Sequence, residues 1–339
     1  MNRIVTLAQR PTSLVDQTTT TLIEQTVPTC GPGEALIKVG MLSIDPTIRT
    51  WMNDAPGYLP PIEIGEVIRS SGAGVVIESN SDRYAVGDIV IGMTGWQDYV
   101  LATEENKFSV VPAGTGLDLA TVMNVLGVTG LTAWFGMTDV GAIAPGDVVV
   151  VSGAAGATGS AAGQIARARG ASLVIGIAGG PEKCAQVVAD YGFDYCLDYR
   201  EPDLAKRIRE VAPKGVDLYF DNVGGPVLDA VLSNIAMRGR IVLCGAIAQY
   251  NDPSAAAIYN HAMLIMRRAS MTGFIILDYA ARFLEAQMEL AGLLLGGQLV
   301  HHEHIVDGLE NAPTALNLLF TGGNSGKTLV RVDGFVALS

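Results

Sequence analysis

The chain has 339 residues, 49% of them hydrophobic, and a formal net charge of −12. Its length predicts about two domains with a sizeable core, because a typical domain holds ~150 residues. The strongly acidic balance argues against nucleic acid and against an anionic membrane surface as partners.

The cysteines lie far apart and include no CxxC pair, so the sequence predicts neither a disulfide framework nor a sulfur-rich zinc site. They are Cys30, Cys184, Cys196 and Cys244. Unpaired cysteines fit a reducing compartment, and the N-terminal "MNRIVTLAQRPTS" lacks the apolar core of a signal peptide. We therefore expect a cytoplasmic protein.

The first third of the chain is rich in short alternating runs separated by glycine, such as "EALIKVGMLSI", "GAGVVIES" and "VGDIVIGM". Alternation with a period of two indicates strands that are buried on one face. Several such runs in succession predict an antiparallel β domain.

From about residue 130 the pattern changes to strands that alternate with helices. The predicted strands are Val148–Ser152, Ser172–Ile177, Val216–Phe220 and Arg240–Cys244, and the predicted helices are Pro181–Tyr191, Asp203–Ala212, Pro226–Ala236 and Tyr279–Leu295. This βαβ alternation indicates a parallel sheet covered on both faces, and hence an α/β fold of the doubly wound type. From about His301 the chain returns to strand, helix and strand, which we expect to rejoin the first domain.

A glycine-rich turn follows the first strand of the α/β region in "VVVVSGAAGATGS". Gly153, Gly156 and Gly159 make a GxxGxxG that opens the next helix. Turns without side chains let backbone N–H groups and the helix N-terminus approach a pyrophosphate. The sequence therefore predicts a dinucleotide-binding site here, against the alternative of a tight structural turn.

The end of the second strand bears on the choice of dinucleotide. NAD-binding proteins usually carry a carboxylate there, whereas this chain has Ala178 and Gly179. Lys183, Tyr199 and Arg200 follow nearby and offer donors to a 2′-phosphate. This pattern favours NADP(H) over NAD(H), although Lys183 alone reads equally well as a solvated lysine.

Several longer stretches resemble one family almost from end to end. They include "LSIDPTIR", "GVTGLTAWFGM", "FDNVGG", "CGAIAQYN" and "NSGKT". The chain resembles the zinc-independent medium-chain dehydrogenases/reductases, in the group of leukotriene B4 12-hydroxydehydrogenase, prostaglandin reductase and alkenal double-bond reductase. The resemblance implies a GroES-like antiparallel catalytic and substrate domain at 1–129 and 302–339. It places a Rossmann NADP(H)-binding domain at 130–301.

The resemblance also implies a set of cofactor-binding positions. These are Gly153, Ala155, Gly156, Ala157, Thr158 and Gly159 at the pyrophosphate, Lys183 and Tyr199 at the 2′-phosphate, and Asn222, Cys244, Gly245, Ala246, Ile247, Tyr250, Phe274, Ile275, Ile276 and Asn324 elsewhere along the cofactor. Relatives are commonly dimers, and a strand near 270–276 is suited to extend the sheet across a two-fold axis. We expect a homodimer.

Two tyrosines are candidates for the substrate side. Tyr259, in "AIYNHAMLIMRR", matches the tyrosine that in relatives is proposed to bind the substrate carbonyl or supply a proton. Tyr58 lies in the proline-rich "APGYLPP" and is predicted either to cover the substrate or to belong to an ordinary surface turn. Trp51, Trp96 and Trp134 are more simply explained as buried aromatic residues than as the lining of a cleft.

No metal site is predicted. In "HHEH", residues 301 to 304, alternation along a strand would put His302 and His304 on one face, but two histidines and one glutamate without a further ligand more often form a solvated strand. The Gly-His-Glu motif of zinc alcohol dehydrogenases is absent, and all four histidines lie beyond residue 260.

Without a metal, an activated alkene is easier to reduce than a simple ketone, because the charge of the arriving hydride spreads onto the carbonyl oxygen as an enolate. The sequence therefore predicts NADPH-dependent reduction of the C=C bond of α,β-unsaturated ketones and aldehydes. A zinc-free NADPH quinone oxidoreductase and a non-catalytic NADPH-binding regulator remain alternatives, because a fold alone does not specify a reaction.

Overall fold

The computed structural model describes residues 1–112, 118–252, 254 and 257–332. The chain forms two compact units. The first consists of Met1–Met123, Glu303–Asn324 and Thr328–Ser339, and the second of Asn124–His302 and Ser325–Lys327. The domain boundaries expected from the sequence, and the roles given to the two domains, stay predictions.

The elements are numbered in chain order. The strands are β1 Asn2–Leu7, β2 Thr20–Gln25, β3 Ala35–Ser43, β4 Ser71–Ser79, β5 Ile89–Met93, β6 Tyr99–Ala102, β7 Ser109–Val110, β8 Val148–Ser152, β9 Leu173–Ala178, β10 Tyr195–Asp198, β11 Val216–Asp221, β12 Ile235–Leu243, β13 Ser270–Gly273, β14 Glu303–Asp307 and β15 Lys327–Arg331. The α-helices are α1 Thr47–Trp51, α2 Leu119–Met123, α3 Val128–Phe135, α4 Ala157–Ala168, α5 Pro181–Ala189, α6 Leu204–Val211, α7 Gly225–Leu232, α8 Ala262–Arg267, α9 Phe283–Leu295 and α10 Ala312–Thr321.

The first unit is built on a mainly antiparallel sheet with the strand order β14-β15-β3-β4-β5-β7, in which β6 also pairs with β3. Only β14 runs parallel to β15 among these described strands, because the Lys327 N–H donates to the His302 carbonyl oxygen and the Gly308 N–H to that of Arg331. Ile37, Leu42 and Val90 of this sheet are fully buried in a core that also includes Trp96, and the central β3 is buried along nearly its whole length. The antiparallel β domain predicted from the sequence is confirmed.

The second unit is built on a parallel sheet with the order β10-β9-β8-β11-β12-β13. Counted within this sheet, the order is 3-2-1-4-5-6, the doubly wound arrangement of dinucleotide-binding folds. Val149, Val150 and Val151 in the central β8 are fully buried, as expected for a strand with helices on both faces. The α/β prediction is therefore confirmed.

Two predicted helices were wrong at one end. The helix predicted over Pro226–Ala236 ends at Leu232, and Ile235 already begins β12. Asn234 explains the early end, because its side-chain amide donates to the carbonyl of Ala230 at 2.9 Å and closes the last turn. The helix predicted over Tyr279–Leu295 is an α-helix only from Phe283 and is preceded by a 3₁₀ helix at Ile276–Arg282.

A search for membrane-spanning helices covers the same described ranges. Within them, no helix combines the length and the apolar character needed to cross a bilayer.

Candidate cofactor site and aromatic pocket

The candidate cofactor site lies at the carboxyl ends of β8 and β11, which are neighbours at the point where the strand order of the parallel sheet reverses. In open α/β sheets, ligands bind outside the strand ends at this switch point. Gly153 directly follows β8 and Asn222 directly follows β11. The Asn222 amide nitrogen donates to the carbonyl oxygen of Ser152 at 2.7 Å, so the two strand ends are joined there.

The glycine turn has the geometry that a phosphate needs. Gly153 adopts a φ of +62°, which favours glycine, and a Cβ on Gly159 would lie 2.3 Å from the carbonyl oxygen of Gly153. The turn leads into α4 with no side-chain cap at Gly156, so the first N–H groups of this helix have no partner within it. Free N–H groups at the positive end of a helix dipole fit a pyrophosphate.

A segment far along the chain also packs on this turn. The Gly326 N–H donates to the carbonyl oxygen of Ala155 at 2.9 Å, and the Ser325 hydroxyl donates to the Gln186 side chain on α5 at 2.5 Å. The sequence analysis missed both residues, although the "NSGKT" motif that contains them was recognised. Asn324 belongs to the first unit, and its contact with the cofactor stays a prediction.

The corner after β9 is positively charged. A Cβ on Gly179 would lie 2.8 Å from the Tyr199 ring, so the tyrosine packs directly on this corner. Burial lowers the pKa of Lys183, and the nearby Arg200 guanidinium lowers this pKa further. Two cations that repel each other across a glycine corner would both be stabilised by a bound phosphate.

The loops after β12 and β13 leave the same edge of the sheet. The Cys244 N–H donates to the Asp221 carbonyl oxygen at 2.9 Å, and the Ile247 N–H donates to that of Asn222 at 3.3 Å. Within this loop, the Ala246 N–H donates to the Tyr250 hydroxyl at 3.2 Å. The second unit therefore brings most of the predicted cofactor positions to one edge. The segment after β13 consists of Phe274, Ile275 and Ile276, and all three are partly buried.

A buried carboxylate beneath these loops was also missed. Asp221 is fully buried, and burial raises its pKa although hydrogen bonds from Gly224, Tyr219, Val223 and Ser152 oppose the shift. Burial and the nearby Asp221 together raise the pKa of Cys244 to about 12. No motif marks this residue as functional, because a strand-end aspartate reads equally well as a turn residue.

Tyr259 lies in a segment between β12 and α8, with 80% of its surface exposed. Its backbone is fixed even so, since the N–H groups of Tyr259 and Asn260 donate to Asp229 Oδ1 at 2.6 and 2.7 Å. The side chain is free to meet a ligand, and its role in catalysis stays a prediction.

Tyr58 lines a pocket of about 130 Å³ in the first unit. Its hydroxyl lies 2.6 Å from Thr47 Oγ1, and its ring meets Trp51 edge-on with the centroids 6.1 Å apart. Burial raises the pKa of Tyr58. The pocket is lined by Thr50, Trp51, Asn53, Ala55, Pro56, Gly57, Tyr58, Leu59 and Pro61. Trp96 and Trp134, by contrast, are buried residues.

In the part of the chain that the structure describes, no group of three or more His, Cys, Asp or Glu residues is arranged to hold a metal ion.

Comparison with known proteins gives matches over nearly the whole chain. A family model described as the N-terminal domain of oxidoreductase matches residues 3–110, and one described as zinc-binding dehydrogenase matches residues 157–291. The NADPH-dependent curcumin reductase of Escherichia coli is 38% identical over 98% of this chain and 97% of its own length. The NADP(+)-dependent 2-alkenal reductase of Nicotiana tabacum is 37% identical over 89% of this chain and 88% of its own.

Among solved structures, CurA from Vibrio vulnificus in complex with NADPH aligns with a TM-score of 0.93 and 37% identity. The alignment covers 98% of this chain and 100% of that chain. The chain therefore belongs to the zinc-independent medium-chain dehydrogenase/reductase family, in the group that contains the alkenal and curcumin reductases.

Proposed function

We propose that this protein is an NADPH-dependent reductase of the C=C bond of α,β-unsaturated ketones and aldehydes. The observation that carries the proposal is the glycine turn at the switch point of the sheet, together with the Lys183 and Arg200 corner beside it. The relatives named above use NADPH or NADP(+), and the tobacco relative acts on 2-alkenals.

The residues of the second unit fit this cofactor. The turn from Gly153 to Gly159 would hold the pyrophosphate, and Lys183 with Tyr199 would hold the 2′-phosphate. Asn222, the loop 244–250 and the segment 274–276 would line the remainder. Neither Ala178 nor Gly179 carries the carboxylate that would bind a ribose 2′-hydroxyl, and the Asp198 carboxylate nearby accepts the N–H groups of Gly180 and Arg200.

When bound, NADPH supplies the hydride that the β-carbon of the substrate accepts. Charge then develops on the substrate carbonyl oxygen, where a hydrogen-bond donor stabilises the enolate. The Tyr259 hydroxyl is our candidate for this donor and for the proton that the α-carbon takes up. Tyr58, beside Trp51, would form an aromatic wall for the substrate. The sequence offers no zinc motif to polarise the carbonyl, so the Tyr259 hydroxyl would supply that polarisation.

Anaerobic assays separate this function from its alternatives. We expect the purified protein to oxidise NADPH with an enone, and deuteride from labelled NADPH to appear at the β-carbon of the product. A preference for benzoquinone would favour the quinone reductase. Binding of NADPH without turnover over a panel of enones and quinones would favour the regulator.

Tyr259→Phe tests the donor. We expect turnover of the enone to fall about tenfold, because one charge-assisted hydrogen bond is lost, while the dissociation constant of NADPH stays unchanged. Unchanged turnover would remove Tyr259 from the mechanism.

We also propose that the protein is a homodimer and that it is located in the cytoplasm. The four cysteines are free, as suits a reducing compartment. β13 is an outer strand of the parallel sheet, and Ile265 and Met266, shortly before it in sequence, are 82% and 65% exposed. An outer strand together with exposed apolar side chains suits pairing with the same strand of a second copy.

Light scattering tests the dimer. We expect twice the 35.5 kDa chain mass for the wild type, and a lower mass for Ile265→Asp. Leu22→Asp is the matched control, because Leu22 is an exposed apolar residue of the first unit. A wild-type monomer would refute this part without affecting the proposed reaction.

A further inference from the structure

The Asp221 carboxylate is the centre of a buried hydrogen-bond network. Its Oδ1 accepts from the Tyr219 hydroxyl at 2.6 Å, the Ser152 hydroxyl at 2.9 Å, the Val223 N–H at 2.9 Å and the Gly224 N–H at 3.0 Å. Buried carboxylates need such donors to offset the loss of water. Nothing in the proposed reaction uses this group directly.

The charge of this carboxylate fixes the direction of the neighbouring bonds. A carboxylate has no proton to give, so the Ser152 hydroxyl must donate to Asp221. The Ser152 oxygen is then turned to accept the backbone N–H of Asn222, at 2.9 Å. The Asn222 side-chain nitrogen donates to the Ser152 carbonyl oxygen at 2.7 Å, which leaves the carboxamide oxygen of Asn222 as an acceptor.

Asp221 and its neighbour Asn222 connect the segments that surround the glycine turn. A Cβ on Gly153 would lie 3.4 Å from the Cβ of Asn222, so Asn222 lies against the turn. The Asp221 carbonyl oxygen accepts the N–H groups of Cys244 and Gly245 at 2.9 and 3.1 Å. The end of β8, the end of β11 and the loop after β12 are therefore held by these two residues.

We propose that Asp221 is a positioning residue for the dinucleotide: acting through Ser152, it orients Asn222 so that the Asn222 carboxamide oxygen accepts a hydrogen bond from a hydroxyl or amide N–H of the cofactor. This inference rests on the proposed function, because it requires that the protein binds NADPH. A charged acceptor suits this task, since charge-assisted hydrogen bonds are about twice as strong as neutral ones and hold a hydroxyl in one direction.

The test measures NADPH dissociation constants by fluorescence titration for Ser152→Ala, Asn222→Ala and the double variant. We expect Ser152→Ala to weaken binding about fivefold to tenfold. We expect the double variant to bind no more weakly than Asn222→Ala alone, because Ser152 acts only through Asn222. The inference would be overturned if the losses of NADPH affinity in the two single variants multiplied in the double variant. It would also be overturned if Ser152→Ala bound NADPH as tightly as the wild type.

Two further variants separate positioning from stability. Tyr219→Phe removes one donor to Asp221 and a hydroxyl that also contacts Ser152, but leaves the bonds from Ser152 to Asp221 and from the Asn222 N–H to Ser152 in place, so Tm should fall while NADPH affinity stays within twofold. Tyr84→Phe is the matched control, because its buried hydroxyl accepts the Phe108 N–H at 3.0 Å in the first unit. Affinities that simply follow Tm across all variants would overturn the inference.

If Ser152→Ala does not fold, Asp221→Asn replaces it, because the amide keeps the Oδ1 acceptor and removes the charge. We expect NADPH binding to weaken at least threefold. Wild-type affinity in this variant would count against the proposal that the charge of Asp221 orients Asn222 through Ser152. A wild type that does not bind NADPH would refute the proposed function itself, and this inference with it.

Discussion

The glycine turn of the second unit and the Tyr58 pocket of the first unit are built by opposite means. At the turn, three glycines and small residues leave the backbone bare, and the first N–H groups of α4 have no side-chain cap at Gly156. At the pocket, the walls are side chains: Trp51 meets Tyr58 edge-on, and Arg69 lies 5.6 Å from the Trp51 ring centre. The comparison contrasts a site fixed by backbone geometry with a site whose shape depends on individual side chains.

The two kinds of site should respond differently to small changes. A backbone site has no room for an added methyl group, because any shift moves several N–H groups together. A side-chain pocket can lose one hydroxyl and still bind through its remaining walls. The predictions below test this difference, beginning with the largest expected effect.

Gly159→Ala should break the backbone site. The new Cβ would lie 2.3 Å from the Gly153 carbonyl oxygen, so the turn must shift. We expect NADPH affinity to fall more than 100-fold and the free energy of unfolding to fall by about 1–3 kcal/mol. Calorimetric titration and thermal unfolding measure the two effects. Gly292→Ala is the matched control, since a Cβ there meets nothing within 4 Å. Unchanged affinity in Gly159→Ala would refute this view of the turn.

Lys183→Ala should remove the selectivity for NADPH over NADH while leaving the glycine turn intact. We expect the dissociation constant of NADPH to rise about 10- to 100-fold, because a charged hydrogen bond to the 2′-phosphate is lost. The dissociation constant of NADH should change less than twofold. Lys206→Ala controls for the loss of a surface charge, since Lys206 is 72% exposed at its side chain. An equal loss for both cofactors would contradict the assignment of Lys183.

The lowered pKa of Lys183 predicts a pH dependence of selectivity. As pH rises through this pKa, Lys183 loses its charge at a lower pH than an ordinary lysine, so NADPH binding weakens while NADH binding does not. A bound phosphate raises the pKa again, so NADPH binding at a pH where free Lys183 is partly deprotonated should take up a proton. Calorimetry in two buffers of different ionisation enthalpy measures this uptake. Lys183→Arg should abolish it; an arginine variant with the same uptake would assign the proton elsewhere.

Tyr58→Phe should have the smallest effect. The substitution removes the 2.6 Å hydrogen bond to Thr47 but keeps the ring beside Trp51. We expect the KM for an enone to rise about threefold with kcat nearly constant, because one neutral hydrogen bond contributes about 1 kcal/mol. Thr47→Val removes the same hydrogen bond by changing its other partner, so the KM for the enone should rise by the same factor as in Tyr58→Phe. An unchanged KM in both variants would place the substrate away from this pocket.

Features that depend on local backbone geometry could be predicted from the sequence. The tight turn at Gly153 and Gly159 could be predicted from the sequence, since only glycine fits the backbone at these two positions. The strand Val148–Ser152 was also predicted with its observed bounds, because a row of buried valines before glycines permits little else. The fold class followed from this alternation.

Other features depend on long-range pairing that a local pattern does not contain. Asp221 belongs to the site only because β11 lies beside β8, which puts its carboxylate 2.9 Å from the Ser152 hydroxyl. Gly326 likewise belongs to the turn only through its bond to Ala155. The end of α7 was missed because Asn234 closes the helix through a side-chain bond.

The bond between Gly326 and Ala155 also orders events during synthesis of the protein. β8, α4 and β9 leave the ribosome before residue 326 and can form their local contacts, but the glycine turn gains the backbone bond from Gly326 only when that residue emerges. A fragment that ends before Ser325 would therefore carry every glycine of the turn and still lack this bond.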